Sequence, residues 1–357
     1  MESTSFVWDP NAVQVYDKSY GSQIITGHDF NKSTGCHFTL DARDETLVLQ
    51  VSAETQAGSH WPTPVAGQPK DNLNITVANG QLVYQGMKNQ SLLWRYGSSF
   101  VNDPEHVLNI RVLGEYASFQ ITQLPVIFSE SDYQAVHIDV ENSTFSIALQ
   151  DDGDGFSGGF LANIYYHSQF ILSAPYIQLY STTISTAKNG AATADIRLIS
   201  GSDIVLHGFN LLSTDHCNIL VSAERELIIN NAPQGLVAYS YLQSGVNSHV
   251  VVRASKITIG NDVKSPFRVS RGAMVFTSKE GKAPFDVHDA SGLYPEGIFN
   301  FDTKDGRDGA FLFAGMTGFD LTAMLDKRLI YIDGQPANTR TVSYVREEQF
   351  LRVFPHP

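Results

Sequence analysis

Apolar and polar residues alternate with period two along most of this chain, the pattern of strands that bury one face. Within residues 1–125 the runs "LVLQV", "LNITVANGQLVYQ", "LLWRY", "VLNIRVL" and "ASFQITQL" all read this way. Asn79-Gly80 sits inside one of them, and that dipeptide predicts a type I′ turn and an antiparallel hairpin. The reading for residues 1–125 is therefore a small β-sandwich-like region, with "HWPTPVAGQPKDN" as a proline-rich loop and "QLPVIFSES" as the junction to the second region. Helical spacing is confined to "TGFDLTAMLDKR", where Leu321, Met324, Leu325 and Arg328 fall at i, i+3, i+4 and i+7. Asp320 early and Lys327 late in that stretch match the helix dipole.

From residue 126 the strands begin to repeat. "DIRLISGSDIVL" at Asp195–Leu206 is followed by "NILVSAERELII" at Asn218–Ile229. Ile196 matches Ile219, Leu198 matches Val221, Ile204 matches Leu227 and Leu206 matches Ile229, every pair 23 residues apart. "YIQLYSTTIS" offers an earlier copy, with Ile177 and Leu179 nineteen residues before Ile196 and Leu198. "VVVRASKITI" offers a later one, 31 residues beyond Ile219, the extra length holding the strand "LVAYSYL". Two short strands per copy and a period in the low twenties predict a parallel β-helix, or β-solenoid, whose apolar residues stack from coil to coil. Ser200-Gly201 and Ser222-Ala223 are its bends, and Asn230-Asn231 a turn where amides bond between coils. Ile199, Val205, Leu220 and Ile228 point the other way and call for cover. The expected fold is all-β: a sandwich-like region over 1–125, a solenoid over 126–265, and a β cap with one short helix over 266–357 that covers the open end.

The stretch "DIRLISGSDIVLHG" resembles the repeats of filamentous-haemagglutinin-type parallel β-helices, over about residues 175–262. That resemblance implies the solenoid fold and a role in surface binding. The leader and N-terminal secretion module of that family have no counterpart in this sequence.

Composition narrows the partners. Lys and Arg total 24 against 37 Asp and Glu, a net charge of −13, and no basic run occurs, so nucleic acid and anionic membrane surfaces are not expected partners. No apolar run is long enough to span a membrane. "MESTSFVWDPNAVQVYDKSY" has neither a basic nor an apolar signal region, so the expectation is cytoplasmic synthesis, with release by a leaderless route or by lysis. Cys36 and Cys217 both sit on apolar sides of alternating runs, as two buried thiols or one long-range disulfide. The sequons at Asn31, Asn74, Asn89 and Asn142 read as chance in an Asn-, Ser- and Thr-rich chain.

Candidate chemistry is sparse. "QDDGDGFSGG" carries Asp151, Asp152 and Asp154 on a glycine loop suited to Ca²⁺, although its spacing is not that of an EF-hand; no other cofactor is expected. "DTKDGRDG", with Asp302, Asp305 and Asp308, is a second acidic loop. Gln150-Asp151-Asp152 is similar to the QDD element of β-helical polygalacturonases, whose paired carboxylates activate water and protonate the leaving sugar. The Asn-Thr-Asp, His-Gly and Arg-Ile-Lys elements of those enzymes are not in place, and His207 lies 55 residues beyond Asp152. "SAERE" sets Glu224, Arg225 and Glu226 at a bend, a salt-bridged corner or, with Asp151 and Asp152, the acid–base set of a polysaccharide lyase or glycoside hydrolase. Tyr165, Tyr166, Tyr176, Tyr180, Tyr239 and Tyr241 lie among Asn and Gln residues, a composition that stacks on sugar rings and bonds their hydroxyls. Trp61 and Trp94 raise the same possibility. With no complete catalytic set, the leading expectation is non-enzymatic recognition of a glycan or cell-surface partner, as in adhesins, injection-machine spikes and toxin-like receptor binders. A carbohydrate-active enzyme is the alternative, and a self-assembling scaffold, a homo-oligomer built on its outer apolar strips, is the third.

Overall fold

A computed structural model describes residues 5–7, 12–26, 37–50, 59–60, 73–85, 92–94, 107–122, 125–128, 135–142, 144–147, 150–151, 156–157, 159–164, 169–180, 182–186, 194–212, 216–231, 241–289, 292, 294–304 and 306–356. The fold is almost entirely β, with mostly parallel pairing. The chain divides into two units, Met1–Tyr180 and Ser181–Pro357, so the break falls at neither of the boundaries expected at 125 and 265.

In the N-terminal unit, one ladder runs through strands His37–Gln50, Leu73–Gln85, Val107–Val112, Ala135–Val140 and Gln169–Ala174, each parallel to the next. Alternation along each strand places the apolar residues inward, and the parallel register then stacks them. Phe38, Ile75, Ile110, Ile138 and Leu172 form one buried column, and Leu40, Val77, Val112 and Val140 the next. The outward positions make polar columns instead: Asn109 Nδ2 donates to Asn74 Oδ1 at 2.9 Å, and Asn74 Nδ2 lies 3.2 Å from His37 Nδ1. The Asn74 sequon is thus within a strand, its amide engaged on both sides. Phe6 packs edge-on against Tyr16, Tyr20 and Phe38 at centroid distances of 5.0, 5.1 and 6.1 Å and closes this core at its first strand.

Two expectations for this region are corrected. The described pairs within residues 1–125 are parallel, which a sandwich of antiparallel hairpins is not. Asn79-Gly80 makes no hairpin: strand Leu73–Gln85 runs through it as a corner. Gly80 has φ +90°, its N–H donates to Tyr116 O at 2.9 Å, and a Cβ there would lie 2.3 Å from Ala42 O. The glycine serves the close approach of two stacked corners, and Asn79 Nδ2 bonds Asp41 Oδ1 at 2.8 Å across them. The supposed junction is also structured, since Pro125–Phe128 pairs in parallel with both Leu92–Trp94 and Gly159–Ile164.

In the C-terminal unit three parallel ladders recur in chain order. The first joins Ala194–Ser200, Cys217–Ala223, His249–Arg253, Ala273–Thr277 and Ala310–Ala314. The second joins Ile204–His207, Glu226–Asn230 and Lys256–Ile259. The third joins Thr182–Thr186, Asn210–Leu212, Tyr241–Ser244, Phe267–Val269, Phe299–Phe301 and Ile330–Ile332. The 23-residue matches are registered partners: Ile196 with Ile219, Leu198 with Val221, Ile204 with Leu227 and Leu206 with Ile229. The 31-residue step to Val250 also holds. The repeats beginning at Ala194, Cys217 and His249 have three strands each rather than two, and those beginning at Ala273 and Ala310 have two among the described residues. Asn210–Leu212 is too short to show alternation, and "LVAYSYL" supplies its equivalent, not an addition. The nineteen-residue copy does not hold, because Ile177 and Leu179 pair with Phe145 and Ile147.

Parallel pairing continues well past residue 265. Phe276 follows Val252 and Phe313 follows Phe276 in one column, while Phe267, Phe299 and Ile330 continue another. Long loops between these strands break the sequence period without breaking the register. Phenylalanines fill the late core, with Phe267–Phe299 stacked at 5.7 Å and Phe276–Phe313 at 5.3 Å. At the chain end the pairing switches: Phe350–Pro355 runs antiparallel to Ala310–Ala314 and to Val342–Glu347. The helix is Gly318–Asp326, opened by a Thr317–Asp320 capping box, with Leu321 and Met324 buried. Arg328 lies beyond it at φ 54°, outside the expected helical face. Among the described residues no helix is long and apolar enough to cross a membrane.

Candidate functional site

The residues selected from sequence fall unevenly. Asp152, Asp154, Tyr165, Tyr166, Tyr239, Cys36, Trp61 and Asp305 lie outside the described residues. Asp151 belongs to the short strand Gln150–Asp151, antiparallel to Phe156–Ser157, and Tyr241 to Tyr241–Ser244; their side chains, like that of Trp94, are not among those described. Tyr180 is half-buried on the outward side of Tyr176–Tyr180, where Gln178 Nε2 donates to its hydroxyl at 2.5 Å. Glu224 is exposed at the expected bend.

That bend is an ion-paired corner. Glu224 pairs with Lys279, and Glu226 lies 2.9 Å from Lys256 Nζ and accepts from the Thr258 hydroxyl. Arg225 Nε donates to Asp203 Oδ1 at 2.8 Å, and Glu226 N donates to the same oxygen at 3.2 Å. The Arg225 hydrogen bonds hold the buried Asp203 carboxyl below the usual range, although burial acts the other way. Backbone bonds carry the corner from repeat to repeat: Glu224 N to Ser200 O at 3.1 Å and Ser255 N to Arg225 O at 3.0 Å. The three charged residues of "SAERE" are each bound to a partner of this corner, an arrangement that positions the bend. At the next turn, Asn231 Nδ2 donates to Asp262 O, a backbone carbonyl of the following repeat, at 2.9 Å. Cys217 is buried opposite Ala194. In the second acidic loop, Asp308 lies 3.8 Å from Arg271, and Asp302 Oδ1 accepts from Lys304 N at 3.3 Å. Among the described residues no three of His, Cys, Asp and Glu come together as metal ligands.

A different place gathers binding chemistry. A cleft of about 340 Å³ opens in the C-terminal unit, lined by Ile332, Pro336 and Pro355 together with Thr303, Arg307, Gln335, Arg340, Thr341 and His356. Four segments build it. Asp333-Gly334, at φ 49° and 79°, is the two-residue turn joining Ile330–Ile332 to the antiparallel Gln335–Pro336, and it presents Gln335. Asp333 holds the loop carrying Thr303 and Arg307, accepting from Thr303 N at 2.9 Å and from its hydroxyl at 2.5 Å. Those bonds, led by the hydroxyl, keep the Asp333 carboxyl below its ordinary pKa. Asn338 folds the third segment, since its Oδ1 accepts from Arg340 N at 2.8 Å and its N–H donates to Thr341 Oγ1 at 2.9 Å. The chain end completes the lining: His356 N donates to Thr341 O at 2.9 Å, and Arg307 donates to His356 O at 3.1 Å.

The lining thus carries two guanidinium groups, two hydroxyls, an amide and an imidazole together with three apolar residues, with no carboxylate among the lining residues. The Asp333 carboxylate stands beside this lining, bonded to the Thr303 N–H and hydroxyl. The arrangement offers guanidinium, hydroxyl and amide donors to an anionic or polar ligand, with Arg307 already bonded on one side to His356 O. Sequence reading missed it. Arg307 and Arg340 are 33 residues apart, joined by no motif, and only the third strand of the ladder and its hairpin bring them to one cleft. No protein-family model, curated protein or solved structure matches the chain.

Proposed function

We propose that this chain is a non-enzymatic recognition protein on a parallel β-solenoid scaffold, and that the arginine cleft binds an acidic sugar residue of a glycan. The solenoid reading is supported by registered parallel partners at the 23-residue step and by three ladders visited in fixed order. The observation that carries the ligand class is the cleft lining, which brings two guanidinium groups, hydroxyl and amide groups together with Ile332 and two prolines. A carboxylated or sulfated sugar offers an anionic fork, hydroxyls and an apolar C–H face in a volume of this size. The carboxylate pair of a glycosidase has no counterpart among the lining residues.

Titration calorimetry against uronate-containing, sulfated and neutral oligosaccharides tests this reading. Acidic sugars should bind, more weakly as salt rises. Arg340→Ala, which removes a charge-assisted contact, should weaken binding by about tenfold or more. Equal binding of neutral sugars, or no effect of Arg340→Ala, refutes the ligand class. New reducing ends or unsaturated products from the same panel, lost in Asp152→Asn, would replace recognition with catalysis.

A further inference from the structure

Among the described residues, the last strand of the first ladder's sheet pairs on one side only. Val342–Glu347 pairs on one side with Phe350–Pro355, in the register Val342–Pro355 through Glu347–Phe350. His356 N donates to Thr341 O, so the hydrogen-bonded pairs on that side are those of residues 341, 343, 345 and 347. Pro355, which has no N–H, falls opposite Val342 in a non-bonded pair, as this phase requires. The N–H and C=O groups of Tyr344 and Arg346 therefore face away from the sheet. Around them, Tyr344 is 55 % exposed, Val345 43 % and Phe319 73 %. Gly318 adjoins the same place, because a Cβ on it would lie 2.6 Å from the Tyr344 hydroxyl, while the ring of the next residue, Phe319, stacks on His288 at 5.0 Å.

We infer that this edge pairs with the same edge of a second copy, antiparallel about a two-fold axis through Val345. The occupant follows from the order of side chains. With Val345 opposite Val345, Tyr344 faces the second copy's Arg346 and Arg346 faces its Tyr344, each pair an aromatic ring against a guanidinium. The edge-facing backbone groups of Tyr344 and Arg346 then meet their counterparts in the same register, giving four inter-strand hydrogen bonds. The sequence "SYVRE" is thus complementary to itself read backwards. Two short strands with flanking aromatics are small beside a standard interface, so the dimer dissociates at low concentration. This inference stands apart from the ligand reading, although Thr341 and His356 of the cleft adjoin the strand.

The test is the mass of the full chain by sedimentation over a wide concentration range. Reversible doubling is expected, stopping at two copies. Arg346→Pro removes only an edge-facing N–H, so it should abolish doubling while the thermal transition stays near that of the parent chain. Tyr344→Lys sets a cation against Arg346 and should also give monomers, and Tyr344→Lys combined with Arg346→Glu should restore the dimer. Val345→Cys should crosslink two copies on oxidation, because the two-fold register places that pair side by side. A monomer at every concentration overturns the inference. So does open-ended growth, which would indicate head-to-tail pairing with the first strand, Gln14–Asp17. Doubling unaffected by Arg346→Pro and Tyr344→Lys also overturns it.

Discussion

Ile219→Ala probes the stacked column directly. Ile219 is 2 % exposed and lies in register between Ile196 and Val250. The substitution deletes three carbons, about 2.4 kcal/mol at about 0.8 kcal/mol each. A residual void of roughly 50 Å³ adds about 1.2 kcal/mol at about 24 cal/mol per Å³. The sum, about 3.6 kcal/mol, sits inside the range of about 2–5 kcal/mol for such truncations. Leu220, the next residue, is half-buried on the outward side, and Leu220→Ala should cost less than about 1 kcal/mol. Urea unfolding followed by far-UV circular dichroism measures both. With a slope of about 3 kcal/mol/M, Ile219→Ala lowers the midpoint of the affected transition by about 1.2 M. All three tryptophans, Trp8, Trp61 and Trp94, lie in the N-terminal unit, so their fluorescence reports that unit alone and separates the transitions. If Leu220→Ala costs as much as Ile219→Ala, or if Ile219→Ala shifts the midpoint by less than about 0.3 M on that slope, the column is not what holds these strands together.

Two further outcomes follow from single positions. Gly80→Ala places a methyl group against Ala42 O in a backbone of positive φ and should destabilise the N-terminal unit by at least about 2 kcal/mol, read as an earlier tryptophan-detected transition. Asp203 has a folded-state pKa below its ordinary value, so its stabilising effect is present above the unfolded value of about 4 and is lost as the pH falls through the folded one. The midpoint for the C-terminal unit should fall between about pH 5 and pH 3 in the parent chain and fall less steeply in Asp203→Asn, and identical slopes would show that the Arg225 corner contributes nothing.

The sequence by itself determined which face of most strands is inward. Alternation is a local property, and burial of Ile196, Leu198, Ile219 and Val221 follows from it. It also determined the pairing step at Ile196–Ile219, because strands in parallel register place like apolar residues at a constant spacing, and the helix at Gly318–Asp326, whose cap and apolar spacing lie within one short stretch. Only the tertiary structure decided partner and direction. Asn79-Gly80 has the composition of a hairpin turn, yet in the fold it is a corner beneath Ala42, a residue 38 positions away. The continuation of the ladders through Phe276, Phe299 and Phe313 was hidden by loops of unequal length, since a loop changes the spacing in sequence without moving the strand in space. The arginine cleft was hidden for the same reason. Arg307 and Arg340 line one cleft because strands distant in sequence deliver their loops to one place, a relation that no local pattern encodes.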